Sequence, residues 1–221
     1  MKFQCLLFDL DGTLIDSQAD LILSINLMLT ELKCATLPDA QIIMFVGEGI
    51  RLLVERALRA SCVQEPEEEM IQTALLSFRR LYSEHLLDRT DLYPGVRETL
   101  EALQSLPMAV VTNKPYEFTV KILEGLQLAH FFQAVIGGDS TPERKPSALP
   151  LLEAAKLCGI APEKCLMIGD TKVDILAGQA AGMSTCGFIG GYRGEKELVA
   201  VNAEFLIGGV GELIQIVKMG E

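Results

Sequence analysis

The sequence predicts an α/β fold: a parallel sheet with helices on both faces, plus an all-α cap inserted after the first strand. Three observations predict it. A short apolar run, Cys5-Leu6-Leu7-Phe8, stops abruptly at the acids of Asp9-Leu10-Asp11-Gly12-Thr13. From Ser17 to about residue 90, apolar residues recur at helical spacing and no strand pattern intervenes. Beyond Tyr93-Pro94-Gly95, helix-length segments alternate with short apolar runs, the pattern of a parallel sheet covered on both faces. The expected organisation is a Rossmann-like core of residues 1–15 and 93–221 and a helical cap of residues 16–92.

Residues 5–8 read as a buried strand, being short, apolar and followed by a polar loop. Leu21, Ile22, Ile25, Leu29 and Leu32 place a helix between Ser17 and Lys33. A second helix fits 49–62 and a third about 66–87, where Pro66 and three glutamates suit a positive helix start. In the second half, helices at 95–105, 116–126, 147–158 and 172–181 alternate with strands at 108–112, 133–136, 165–168 and 185–189. A weaker strand at 204–207 and a helix at 210–218 close the chain.

Of 221 residues, 49% are hydrophobic, enough for a substantial core. Acidic residues outnumber basic ones by 30 to 19, a net charge of −11. That balance argues against nucleic acid and anionic membranes as partners, while a local site can still bind a small anion. The six cysteines (5, 34, 62, 158, 165, 186) show no CxxC spacing. They read as reduced, mostly buried thiols of a cytoplasmic protein, not as a zinc site or disulfide framework. No apolar stretch is long enough to span a bilayer, and the acids at 9 and 11 interrupt any signal-peptide region.

Asp9 and Asp11 repel each other unless a cation neutralises them or one carboxyl stays protonated. An open parallel sheet binds ligands beyond the carboxyl ends of its strands. The strand ends here carry Asp9 to Thr13, Thr112-Asn113-Lys114 and Gly169-Asp170-Thr171-Lys172-Val173-Asp174, and Lys145-Pro146 opens a helix. Asp9 and Asp170 can share a hard divalent cation such as Mg²⁺, which prefers oxygen ligands. Lys145 and the Thr112 hydroxyl can bind phosphoryl oxygens. Asp9 can attack phosphorus, and Asp11 can give a proton to the leaving alcohol and later take one from water.

These motifs resemble the haloacid dehalogenase superfamily, in its subgroup with a helical cap after strand one. Four match: Asp9-Leu10-Asp11-Gly12-Thr13-Leu14 with Asp16-Ser17; Thr112-Asn113; Lys145-Pro146; and Gly169 to Asp174. The resemblance implies Asp9 as nucleophile and Asp11 as general acid and base. It implies Mg²⁺ on Asp9, the Asp11 backbone carbonyl and Asp170, with Asp174 supporting the metal. It also implies Thr112, Asn113 and Lys145 around the phosphoryl group. Within the superfamily, the chain is most similar to bacterial phosphoglycolate phosphatases. That likeness rests on Phe45-Val46-Gly47-Glu48-Gly49, Leu53 to Leu58, Tyr93 to Val96, Val110 to Pro115 and Val135 to Asp139. Ala148 departs from it, standing where a proline is frequent.

Each signal has a plainer reading. DxDGT alone can be a capped turn, Lys145 a solvated loop lysine and Asp174 an acid favoured in a first helical turn. Gly47-Glu48-Gly49 with Arg51 is either a turn and helix start or a cap loop that meets the substrate, Arg51 facing a substrate carboxylate. His85 and His130 read as surface or packing residues. The expected enzyme is a Mg²⁺-dependent phosphomonoesterase for a small phosphorylated metabolite, 2-phosphoglycolate first. Rivals are a phosphatase for a sugar phosphate (N-acetylmuramic acid 6-phosphate among them) or pyrophosphate, and a sugar-phosphate mutase. A receiver-type phosphoacceptor module is the rival from another class, distinguished by stopping near one phosphate per chain. Monomer and homodimer both stay open.

Overall fold

The computed structural model describes residues 2–61 and 65–218. The chain divides into two compact units, Met1–Asp16 with Leu92–Glu221, and Ser17–Asp91. It begins with β1 (Cys5–Phe8) and β2 (Ile15–Asp16). Four helices follow: α1 (Gln18–Glu31), α2 (Asp39–Ile43), α3 (Ile50–Ser61) and α4 (Glu68–Glu84). After β3 (Asp91–Leu92) come α5 (Val96–Leu103), β4 (Met108–Val111), α6 (Tyr116–Gly125) and β5 (Ala134–Ile136). The chain continues through α7 (Leu149–Leu157), β6 (Cys165–Gly169), α8 (Lys172–Ala180) and β7 (Ser184–Phe188). It ends with α9 (Glu195–Ala200), β8 (Phe205–Ile207) and α10 (Leu213–Lys218).

Six strands form one parallel sheet in the order β5-β4-β1-β6-β7-β8; β2 and β3 pair separately. Every residue of β1, β4 and β6 is buried. Their uninterrupted apolar composition follows from that, because a strand covered on both faces has no side for polar residues. On one face, Cys5, Leu7, Ala109, Val111, Cys165 and Met167 share a core with Leu151, Ala154 and Ala155 of α7 and Ala177 of α8. From β1 the chain runs outward to β4 and β5, then crosses back to β6 on the other side. The carboxyl ends of β4, β1 and β6 therefore lie side by side where the winding reverses, which is where such sheets bind ligands.

The elements expected from the sequence are present, with ends moved by one to three residues. The helix expected at 49–62 is α3, and its last residue, Cys62, lies outside the described residues. The helix expected from Pro66 begins at Glu68, because the backbone of Glu67 is still extended. Two-residue β2 and β3 and five-residue α2 are too short to show a period. Six-residue α9 buries only Leu198 and gives no apolar stripe. The helix expected at 210–218 is a 3₁₀ turn, Val210–Glu212, followed by α10.

In the Ser17–Asp91 unit, α1 carries a fully buried acid, Asp20. Its carboxylate accepts the Arg89 N–H at 3.1 Å, the Thr90 N–H at 2.8 Å and the Thr90 hydroxyl at 2.7 Å. A buried charge is tolerable when fixed donors surround it. Asp20→Ala orphans these donors and should destabilise this unit by about 2–3 kcal/mol. Urea denaturation followed by circular dichroism measures the loss; a change below about 0.5 kcal/mol contradicts this account of Asp20.

Candidate active site

The turn after β1 is wound tightly. The Leu10 carbonyl accepts the N–H groups of Thr13, Leu14 and Ile15 at 3.2, 3.0 and 3.1 Å. Gly12 takes φ +84°, a backbone region that favours glycine. A Cβ there would lie 2.4 Å from Asp170 Oδ2. A Cβ on Gly191 would lie 2.3 Å from both the Asp170 Cβ and the Gly12 carbonyl oxygen. Two glycine loops thus press bare backbone against the Asp170 carboxyl, and any side chain would push them off.

Asp170 follows β6 and is fully buried. Its Oδ1 accepts the Thr13 hydroxyl at 3.2 Å and its Oδ2 the Tyr192 N–H at 2.8 Å. Asp174 stands in the first turn of α8 and closes a capping box with Thr171. Its Oδ2 accepts the Thr171 N–H at 3.0 Å and the Thr171 hydroxyl at 2.8 Å. Its Oδ1 accepts Lys145 Nζ at 2.7 Å. Lys145 Nζ also donates to the Val111 carbonyl at 2.6 Å and lies 2.9 Å from Asp9 Oδ1. The last contact is an ion pair out of line for a directed hydrogen bond, so Asp9 Oδ1 is a buried oxygen with no well-aligned donor.

One oxygen from each of Asp9, Asp170 and Asp174 lies within 4.8 Å of the others. Burial and the neighbouring Asp174 charge push the Asp9 carboxyl up to about 6, against the pull of Lys145. Burial, then Asp174 and Asp9, hold Asp170 well above the usual carboxylate range, against its Tyr192 and Thr13 donors. Burial opposes the Lys145 charge, but Asp174 and Asp9 outweigh it and raise the Lys145 pKa. The cluster is short of positive charge. With Asp11 and Lys114 included, the site has two more carboxylates than ammonium groups, the charge of one divalent cation. An under-bonded buried oxygen and an all-oxygen donor set both fit a hard cation.

At the end of β4, Thr112 and Asn113 are buried. The Thr112 hydroxyl accepts the Lys114 N–H at 3.2 Å, and Asn113 Nδ2 donates to the Lys145 carbonyl at 3.0 Å. Asp9, Asp11, Thr112, Asn113, Lys145, Asp170 and Asp174 thus all belong to the Met1–Asp16 and Leu92–Glu221 unit, and the contacts above join most of them. Gly47, Glu48, Gly49 and Arg51 belong to the other unit. There Gly47 and Gly49 take positive φ, and Glu48 pairs with Arg56 at 2.6 Å. Arg51 does not present an open guanidinium: Glu55 holds its Nε at 2.7 Å and Glu68 its Nη2 at 2.6 Å. A substrate carboxylate has to displace these pairs before it meets Arg51.

Three contributors have no role in the sequence reading, which names Thr13 and Lys114 only as strand-end residues and does not name Tyr192. Thr13 and Tyr192 fix Asp170, the first from within the DxDGT run, the second from a Gly190-Gly191 loop that the glycine pair itself could have flagged. The third is Lys114. Its Nζ lies 2.8 and 2.9 Å from the two oxygens of Asp11.

Residues 6–188 match the family described as haloacid dehalogenase-like hydrolase. The chain is 38% identical to a phosphoglycolate phosphatase of Chromobacterium violaceum, over 96% of each chain. It is 38% identical to one of Colwellia psychrerythraea, over 99% of this chain and 100% of that one. A crystal structure of a predicted phosphoglycolate phosphatase from Haemophilus somnus superposes with a TM-score of 0.93 at 32% identity, covering 98% of this chain and 99% of that one.

The raised Asp9 pKa has a consequence for stability. Its favourable contribution is complete below the ordinary carboxylate range and is lost as pH rises through about 6. In chelator, Asp9→Asn should therefore be more stable than the natural chain at pH 8, by up to about 3 kcal/mol. The advantage should shrink as pH falls below 6. Thermal melts of both proteins between pH 5 and 8 measure it; a difference independent of pH contradicts the assignment.

Proposed function

The chain belongs to the haloacid dehalogenase-like hydrolase family, and from that premise we propose that it is a Mg²⁺-dependent phosphomonoesterase acting on 2-phosphoglycolate through a phosphorylated Asp9. The observation that carries this reading is the buried carboxylate cluster of Asp9, Asp170 and Asp174 with Lys145, at the sheet edge where ligands bind. The substrate follows from the phosphoglycolate phosphatases to which the chain is similar along nearly its whole length.

Asp9, Asp170 and the Asp11 backbone carbonyl would hold Mg²⁺, with Asp174 behind them, since its Oδ1 already takes the Lys145 ammonium and its Oδ2 two donors from Thr171. Bound there, Mg²⁺ supplies positive charge to the carboxylates and to the phosphoryl group in transfer. The Asp9 carboxylate attacks phosphorus, and the bond to the alcohol oxygen breaks. Asp11 gives that oxygen a proton. Asp11 then takes a proton from a water whose oxygen attacks phosphorus, releasing phosphate and restoring Asp9. Lys145 holds Asp9 in place, and it shares the phosphoryl oxygens with Thr112 and Asn113. Gly47, Glu48, Gly49 and Arg51 stay proposed contacts of the alcohol half of the substrate on the strength of their sequence alone. We place the enzyme in the cytoplasm: Cys5, Cys34, Cys158, Cys165 and Cys186 form no disulfide, as a reducing compartment requires. No described helix is long and apolar enough to cross a membrane.

Purified protein with Mg²⁺ should release phosphate from 2-phosphoglycolate over many turnovers, lose activity in EDTA and regain it with Mg²⁺. Phosphate release stopping near one per chain, or full activity in EDTA, sinks the proposal. Asp9→Asn should abolish turnover, because an amide neither attacks phosphorus nor holds the cation well. Asp11→Asn should fold and slow hydrolysis of an alkyl phosphate by about 10²–10⁴. It should slow an aryl phosphate with a good leaving group much less; equal loss on both contradicts proton transfer by Asp11.

A further inference from the structure

We propose that Cys158 is a site of reversible oxidation: it reacts with a hydroperoxide, and Cys5 closes the product to a Cys5–Cys158 disulfide. The proposal is independent of the phosphatase reading.

Sulfur gathers on one face of the sheet. Cys5, Cys158 and Cys165 belong to a single buried cluster under α7. Cys5 opens β1, Cys165 opens β6, and the two are paired in register. Paired residues on neighbouring strands lie about 4.8 Å apart and point the same way. Cys158 caps the C-terminus of α7, the helix that packs on this face. The Cys5 S–H has the Cys158 and Cys165 sulfurs within hydrogen-bonding reach. From that contact, side-chain rotation shortens the gap toward an S–S bond of about 2.0 Å.

The three thiols are not equivalent. Cys5 and Cys165 are fully buried, whereas Cys158 keeps 6% of its surface, between an exposed Leu157 and an exposed Gly159. A Cβ on Gly159 would meet nothing within 4 Å, so the bend beside Cys158 opens on solvent. A small oxidant therefore meets Cys158 first. Contact with Cys5 pulls the Cys158 and Cys165 thiols down, against burial. At Cys165 the neighbouring Cys158 and Glu163 also push the other way, and its S–H is held by the Ala161 carbonyl at 3.5 Å. The two sulfur neighbours and burial push the Cys5 thiol far up. Thiolate character thus gathers on the outermost sulfur while the proton stays on Cys5. The plainer role of such residues is core filling, which leaves them inert until the chain unfolds.

The Cys158 thiolate attacks one oxygen of hydrogen peroxide and the O–O bond breaks. Hydroxide leaves and becomes water with the proton that Cys158 gave up. Cys158 is then a sulfenic acid. The Cys5 sulfur attacks the Cys158 sulfur, the S–O bond breaks, and the hydroxyl leaves with the Cys5 proton as a second water. Two thiols have lost two electrons and two protons, and one peroxide has become two waters. A small dithiol reverses the step by exchange, so the bond is transient in a reducing compartment. It forms at the opposite end of β1 from Asp9, away from the acid cluster.

The test treats purified protein in Mg²⁺ with hydrogen peroxide, blocks it with iodoacetamide and digests it with trypsin without reductant. Trypsin cuts after Lys2, Lys33, Lys156, Lys164 and Lys172, so the three thiols fall on separate peptides. Mass spectrometry should find the Cys5 peptide joined to the Cys158 peptide, and dithiothreitol should part them. The Cys5 peptide joined to that of Cys165 instead, Cys158 carried to sulfinic acid without a cross-link, or no reaction at all overturns the proposal. In the untreated folded protein, iodoacetamide should label Cys158 at least about tenfold faster than Cys5 or Cys165. Equal rates overturn the proposal and leave core filling. In Cys5→Ser, whose hydroxyl still donates to Cys158, the sulfenic acid loses its partner, and dimedone should trap it on Cys158. A folded Cys5→Ser protein that gives no adduct contradicts the assignment. Should this variant not fold, the two measurements on the natural protein decide.

Discussion

Burying several carboxylates next to one ammonium is the constraint on which the rest of this site depends. Taken out of water, like charges a few ångströms apart cannot all ionise without help. The fold answers with fixed donors. Thr13 and Tyr192 hold Asp170, Thr171 holds Asp174, and Lys145 bridges Asp174 and Asp9. What remains is Asp9, pushed up to about 6 and lacking a well-aligned donor on Oδ1. The chain gives Asp170 and Asp174 fixed donors and leaves Asp9 Oδ1 in want of positive charge. A cluster arranged in this way carries a deficit of positive charge that a hard cation would offset.

Much of this was legible in the letters because the decisive signals are local. Uniformly apolar runs of four or five residues mean strands covered on both sides, and β1, β4 and β6 obey. Acids, Thr and Lys placed immediately after such runs converge when the sheet is parallel, whatever the details of packing. The short elements were not legible. α2 and α9 complete one turn and a little more, too few residues for a 3.6-residue period to declare itself. Pairings between distant residues were not legible either. Lys114 and Asp11 are 103 residues apart, and only the sheet order makes them neighbours. Arg51 shows the converse. Its Glu55 partner at helical spacing was readable, but Glu68 comes from the next helix, and together they take the charge that the sequence left open.

Exposure separates the cations of this protein more sharply than their number does. Arg51 and Arg80 make short ion pairs with exposed glutamates, where water and salt weaken them. Lys114 and Lys145 make pairs of similar length under cover, where each unsatisfied charge is costly. A net charge of −11 therefore says little about the site, whose balance is set by six buried or half-buried groups near one sheet edge.

The strand order also governs how this chain can be made. β1 is synthesised before the other strands of its sheet, yet it ends in the middle of that sheet, with Leu6 beside Met108 on one side and Leu166 on the other. Until both partners have been synthesised, an apolar strand with two open edges waits in an unfinished chain, while the contiguous helices of Ser17–Asp91 can already pack on one another. Contacts of such long range slow folding and lengthen exposure to aggregation. Four residues, Cys5–Phe8, carry that hazard, and the Lys2 and Asp9 charges that flank them are the nearest deterrents to wrong pairing.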